Sequence, residues 1–155
     1  MVVADTVFQE AVTLLRQGGV VAFPTETYYG LGVDPFNPKA LERLFAIKRR
    51  AQDKAVLVLV ESRVQLPLLT EKVPVPLQSL MDRFWPGPLT IVCPAKPGVS
   101  FLLTGGTGTV GVRQSPDRTA ARLLQVFGGP ITATSANRSG ALPATTAAEV
   151  AGIFD

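Results

Sequence analysis

Residues Gly18–Gly32, GGVVAFPTETYYGLG, decide how the remainder of the chain is read. Val20, Val21, Ala22 and Phe23 form a short apolar run between glycines and Pro24, the pattern of a fully buried strand. Thr25, Glu26 and Thr27 then place two hydroxyls and a carboxylate just past it, where ligands of α/β sheets tend to sit. Gly30 and Gly32 free the backbone to turn back or to approach a ligand closely. A plain turn with satisfied hydroxyls fits the same letters, so the stretch needs partners elsewhere in the chain.

The composition narrows what those partners do. With 155 residues, 46% hydrophobic and 17% charged, the chain suffices for one domain, 1–155, with a real core. A net charge of +3 permits phosphate or nucleic-acid ligands without requiring them. There is no histidine and one cysteine, Cys93, so Ser-His-Asp and Cys-His catalysis are excluded, zinc lacks its usual ligands and no disulfide closes within the chain. Cys93, inside LTIVCP, reads as a small core residue. The opening MVVADTVFQEAV lacks the basic start and long apolar core of a signal peptide, and no run approaches a membrane span. The expectation is a cytoplasmic protein with no membrane partner.

Along the chain, Asp5 or Thr6 caps a first helix reaching Gln17, with Val7, Ala11, Leu14 and Leu15 on one face. Asn37-Pro38 starts a second, in which Leu41, Leu44, Phe45 and Lys48 recur at helical spacing and whose end presents Lys48, Arg49 and Arg50. A helix macrodipole favours cations there, and so does an anionic ligand at a sheet edge; spacing alone leaves both open. Lys54 follows, then a buried-looking strand over Ala55–Val60. Val64–Thr70 and Pro76–Trp85 read as helices, Trp85-Pro-Gly-Pro as a stiff structural turn, Leu89–Cys93 as a strand and Pro97–Gly108 as a loop. Thr109–Arg113 is a β-branched strand ending in an arginine that must be exposed or paired with an anion. Gly106, Gly108 and Gly111 match GxGxxG only formally, since a strand stands where the dinucleotide fingerprint needs a helix. Ser115-Pro116-Asp117 opens a helix with Ala120, Leu123, Leu124 and Phe127 apolar. Ile131–Thr134 is a strand running into Ser135, Ala136 and Asn137, and Thr146 with Glu149 forms a capping box for a last helix that breaks at Gly152–Asp155.

Strands alternating with helices predict an α/β fold with a mixed sheet flanked by helices. The strand ends at Thr25–Thr27, Arg113 and Ser135–Asn137, with Lys48–Lys54, converge in this reading on one basic concave cleft. It holds hydroxyls, an amide and cations but no usual nucleophile. Such an inventory suits positioning and charge stabilisation around phosphate, as in phosphoryl or nucleotidyl transfer. With no GxxxxGK[ST], any nucleotide is held without a Walker A loop.

Five segments, in order, together resemble the YrdC/Sua5 family: FPTETYYGLG (Phe23–Gly32), Lys48–Arg50 leading to Lys54, FWPGPLT (Phe84–Thr90), TVGVR (Thr109–Arg113) and TSANRSG (Thr134–Gly140). The resemblance implies a YrdC-like twisted sheet and a threonylcarbamoyl-AMP synthase serving tRNA t6A biosynthesis. L-threonine, bicarbonate and ATP meet in its cleft, ATP being a substrate accompanied by Mg2+, with no tightly bound cofactor and no metal held by side chains. It further implies that Thr27 and Arg113 contact threonine, that Arg50, Lys54, Thr109 and Ser135 contact ATP, and that Lys48, Arg50, Ser135 and Asn137 form the catalytic set. The product passes to a threonylcarbamoyl transferase complex.

The chain departs from the family pattern at Ala51 and Ala55, where prolines are usual, and at Pro143, where a serine is common beside the nucleotide. It also stops at Asp155, before the family's STVVD and RPG segments, so a C-terminal segment is expected to be lacking. The alternative to catalysis is a module that binds double-stranded RNA or tRNA through shape and phosphate contacts. A third reading is a domain cut from a larger carbamoyl-transferring protein of the hydrogenase-maturation type.

Overall fold

A computed structural model describes residues 2–154, with side chains from residue 5 onward. Met1 and Asp155, the outer ends of two stretches read above, lie outside the described residues. Six strands form one mixed sheet: β1 (Val21–Pro24), β2 (Tyr29–Gly32), β3 (Leu57–Leu59), β4 (Ile91–Pro94), β5 (Thr109–Arg113) and β6 (Ile131–Ser135), in the order β1-β2-β6-β3-β5-β4. Only β3 and β5 run parallel; the other neighbours are antiparallel. The mixed α/β architecture expected from the alternating pattern is therefore present.

The opening run is an edge strand and not a fully buried one. Of β1 only Phe23 is buried, and Ala22 is exposed, because β1 pairs with β2 alone. The turn at residues 25–28 folds the chain directly back into β2. The glycines of β2 make room for neighbours: a Cβ on Gly32 would lie 2.6 Å from both Ile131 Cγ2 and Phe23 Cε1.

Helices cover the two faces unequally. Residues paired across a sheet share a face, and residues alternate faces along a strand. One face carries Leu31, Val58, Ile91, Cys93, Val110 and Val112 and is covered by α2 (Pro38–Lys48), α3 (Val75–Phe84) and α6 (Ala147–Phe154). The opposite face carries Phe23, Leu59, Ile131 and Ala133, which pack against Val12 and Leu15 of α1 (Val2–Arg16) and Ala120, Leu123 and Leu124 of α5 (Arg118–Phe127). Those two helices reach only part of that face. Beyond them Gly111 is half-buried and Val92 is 58% exposed, so an open trough runs along the sheet.

Several local expectations change. The first helix begins upstream of Asp5, and it buries Val12 and Leu15 with Phe8 and Ala11 packed alongside, while Val7 and Leu14 face solvent. Both sets are spaced three and four apart, and packing against α5 selects one of them. Residues 63–68 form a 3-10 helix carrying Pro67, and Pro97–Gly108 contains a short helix, α4 (Phe101–Thr104), capped by the Ser100 hydroxyl. The last helix continues through Gly152 to Phe154; the Thr146 hydroxyl accepts from Glu149 N as in the expected capping box, while the Glu149 carboxylate accepts from Thr145 N, one residue before that threonine. Cys93 is buried, and Trp85 donates its indole N–H to Leu89 O at 2.8 Å, a structural role for each.

Candidate active site

The turn between β1 and β2 is built from its own hydroxyls. Thr25 Oγ1 donates to Tyr28 O at 2.7 Å, accepts from Thr27 N at 3.3 Å and lies 3.1 Å from Thr27 Oγ1. This closes the turn tightly and aims Glu26 and Thr27 over the adjacent sheet. Together with Arg113, Leu57, Leu59, Ala133 and Ser135 they line a cavity of about 120 Å³. Three of the expected site residues, Thr27, Arg113 and Ser135, thus share one hollow although the chain separates them widely.

Of the two options open to an arginine at this strand end, exposure or pairing with an anion, Arg113 takes the second. Its Nη1 donates to Glu26 Oε1 at 2.5 Å, while Nε and Nη2 donate to Thr90 Oγ1 at 3.0 and 2.8 Å. Glu26 Oε2 accepts in turn from the buried Ser115 hydroxyl at 2.5 Å. Burial acts to raise the Glu26 carboxyl, but the bonds from Ser115 and from its own backbone N–H, with the Arg113 charge, outweigh it and hold the group below its ordinary value. Thr90 and Ser115 were not among the residues expected to form the site, and Glu26, inside the Thr25–Thr27 strand end expected at the cleft, carried no expected role of its own. The one signal in the sequence was that Arg113 had to be exposed or paired with an anion; nothing in the spacing said which carboxylate would supply it.

Lys48 corrects the picture of three cations presented together. It is 1% exposed, and its ammonium donates to Ser135 O, to Asn137 O at 2.6 Å and to Asn137 Oδ1 at 3.0 Å. Burial, and then the nearby Arg50 charge, push it down to about 8, against the three oxygens that favour its charged form. Asn137 Oδ1 also accepts from Ser135 Oγ at 2.7 Å, and Asn137 Nδ2 donates to Ala141 O at 2.6 Å. Lys48 and Asn137 therefore fix Ser135 from beneath and do not line the cavity.

Arg50 is displayed differently. Arg49, in the left-handed conformation at φ 50°, ends α2, and Arg49 N and Arg50 N donate back to Ala46 O and Phe45 O. The Arg50 guanidinium then lies over the Phe45 ring and donates to Lys54 O at 3.3 Å and Ala55 O at 2.7 Å. It thereby clasps the loop in which Ala51 and Ala55 replace the usual prolines. Burial lowers its affinity for the proton, the mark of a cation short of solvent. Lys54 is exposed on the same loop. Gly105 packs against that loop so closely that a Cβ would lie 2.5 Å from Asp53 O, and Thr109, bonded to Thr107 at 2.8 Å through their hydroxyls, opens β5 four residues further on. Arg50, Lys54 and Thr109 thus stand outside the small cavity, at the opposite end of β5 from Arg113.

The arrangement offers a pocket with a guanidinium, a carboxylate and hydroxyls, next to a second group of cations and a hydroxyl. It can hold and orient small anionic and zwitterionic molecules side by side. No three of Asp, Glu, Cys and His gather as a metal site among the described residues.

The family model Sua5/YciO/YrdC, described as "Telomere recombination", matches residues 13–155. A Methylococcus capsulatus protein named threonylcarbamoyl-AMP synthase is 43% identical over 136 residues, covering 88% of this chain and 73% of that protein. A Pyrococcus abyssi protein of the same name is 41% identical over 144 residues, covering 93% of this chain but only 42% of its own length. Among solved structures, P. abyssi Sua5 complexed with L-threonine superposes with a TM-score of 0.91 at 40% identity, over 95% of this chain and 43% of that one.

Proposed function

Because this chain belongs to the Sua5/YciO/YrdC family, we propose that it joins L-threonine, bicarbonate and ATP into threonylcarbamoyl-adenylate, releasing pyrophosphate. The threonine amine takes up bicarbonate with loss of water, and the resulting carbamate oxygen attacks the α-phosphorus of ATP as pyrophosphate leaves. No side-chain nucleophile is needed, which accords with a chain that has no histidine and whose lone cysteine is buried. The observation that carries this reading is the meeting of Thr27, Arg113 and Ser135 around one cavity, in a fold that superposes closely on a relative solved with L-threonine.

In this proposal Arg113 takes the threonine carboxylate and Thr27 its polar side, while Arg50, Lys54, Thr109 and Ser135 hold the nucleotide. Catalysis then rests on placing the carbamate in line with the α-phosphorus and on neutralising the triphosphate, as expected where charge moves onto phosphate oxygens. Lys48 and Asn137 act through Ser135, whose hydroxyl they orient. Magnesium arrives on the triphosphate as part of the substrate. The adenylate passes in the cytoplasm to a threonylcarbamoyl-transferring complex that modifies tRNA at the t6A position.

The test is pyrophosphate release from ATP, measured with each substrate withheld in turn. Release should require both L-threonine and bicarbonate. Release that continues without threonine would contradict the proposal.

A further inference from the structure

Building on that reading, the unassigned carboxylate in the cavity has a role of its own. A guanidinium carries five N–H groups. In Arg113 the Nε–H and one on Nη2 go to Thr90, and one on Nη1 goes to Glu26. One N–H then remains on each terminal nitrogen, so Arg113 can still donate from both to an incoming carboxylate. A carboxylate seated there is also a neighbour of Glu26, whose side chain is only 12% exposed. Two anions crowded on one cation repel unless a second cation lies between them, and charges on side chains this far removed from solvent are weakly screened. An α-amino acid carries that cation on the carbon next to its carboxylate. Glu26 has capacity to receive it, since the bonds from Arg113, Ser115 and its own backbone N–H leave one of the roughly four acceptor sites of a carboxylate open.

The geometry points to Glu26 as the acceptor for the α-nitrogen of the amino-acid substrate, so that Glu26 and Arg113 together select a zwitterion over a simple hydroxy acid. The nitrogen still bears one N–H after conversion to a carbamate, and the same oxygen receives it then. Glu26 is a specificity-determining residue in this account. Its bond to Arg113 alone would make it only a positioning residue.

The two roles separate in a crossed titration followed by NMR, which reads weak binding. The ligands are L-threonine and 3-hydroxybutyrate, which is threonine without its amine; the proteins are wild type and Glu26→Gln. The wild type should prefer threonine. Glu26→Gln should weaken threonine on the order of ten- to a hundredfold, the worth of a charge-assisted hydrogen bond, while 3-hydroxybutyrate binds as before or more tightly because a like charge is gone. Retained 3-hydroxybutyrate binding also shows that the variant is folded with Arg113 in place. Loss of both ligands by the same factor would overturn the inference and leave Glu26 a support for Arg113. A wild type that binds no threonine would instead overturn the proposed function itself, and this inference with it.

Discussion

Arg113 and Glu26 are separated by 87 positions in the chain, yet each is the other's charge partner, and both are largely buried. Their pairing has a consequence for stability that acid exposes. Glu26 in the folded protein binds its proton less readily than at its ordinary value of 4.5, so as pH falls the unfolded chain takes up the proton first. The stabilisation is complete above about 4.5 and disappears as pH drops through the lower folded value. Thermal unfolding followed downward from pH 6 should show wild type losing its advantage over Glu26→Gln below about 4.5. A difference independent of pH would mean that the carboxylate charge contributes nothing. At this scale the sequence was half legible. An arginine at the end of a buried strand announces that it is either exposed or paired, but the choice between the two, and among carboxylates, depends on which loop the sheet order brings alongside. Thr90 and Ser115 were hidden for the same reason.

Among the elements, α2 and β6 are fastened by a single side chain. Lys48 lies on the buried face of its helix in line with Leu41, Leu44 and Phe45, and its ammonium satisfies three oxygens at the end of β6. Lys48→Met keeps the apolar stem but leaves those acceptors without their charged donor. It should cost about 3 kcal/mol in equilibrium urea unfolding, with Ser135 released from its fixed position. An unchanged midpoint would show that the fastening is without energetic weight. The Asn37-Pro38 start of α2 was plain in the sequence, since an Asn cap before a first-turn proline has few other uses. The periodicity also placed Lys48 on the apolar stripe, and reading it as a displayed cation gave its charge more weight than its position. The helix α4 escaped notice because four residues are too few to show a period, and in α1 Ala11 and Leu15 pack inward as expected while Val7 and Leu14, as apolar as their neighbours, do not.

The whole molecule owes its candidate site to incomplete cover. Two helices shield part of one sheet face, and the remainder, from Arg113 along β5 to Thr109, lies open with Gly111 between them. A Cβ at Gly111 would make an ordinary contact with Thr90 Cγ2 at 3.4 Å and no other, and its backbone is in the strand conformation. Gly111→Ala should therefore leave the melting temperature unchanged or raise it while narrowing the trough. ATP binding should weaken by about tenfold or more, from the roughly 1–3 kcal/mol that added volume costs in a close contact. A variant that melts as wild type does and binds ATP normally would place the nucleotide elsewhere. That the polar strand ends converge was an inference from alternating elements; which half of which face stayed open was set by α1 and α5, whose reach no local pattern encodes.

The central claim, that Arg113 receives the carboxylate of L-threonine on this open face, is tested most directly by calorimetric titration of L-threonine into wild type and Arg113→Lys, which keeps the charge and removes the fork. The account predicts saturable binding to the wild type, strengthened by ATP, and its loss or severe weakening in Arg113→Lys. Equal binding to both proteins, or none to the wild type, would contradict it.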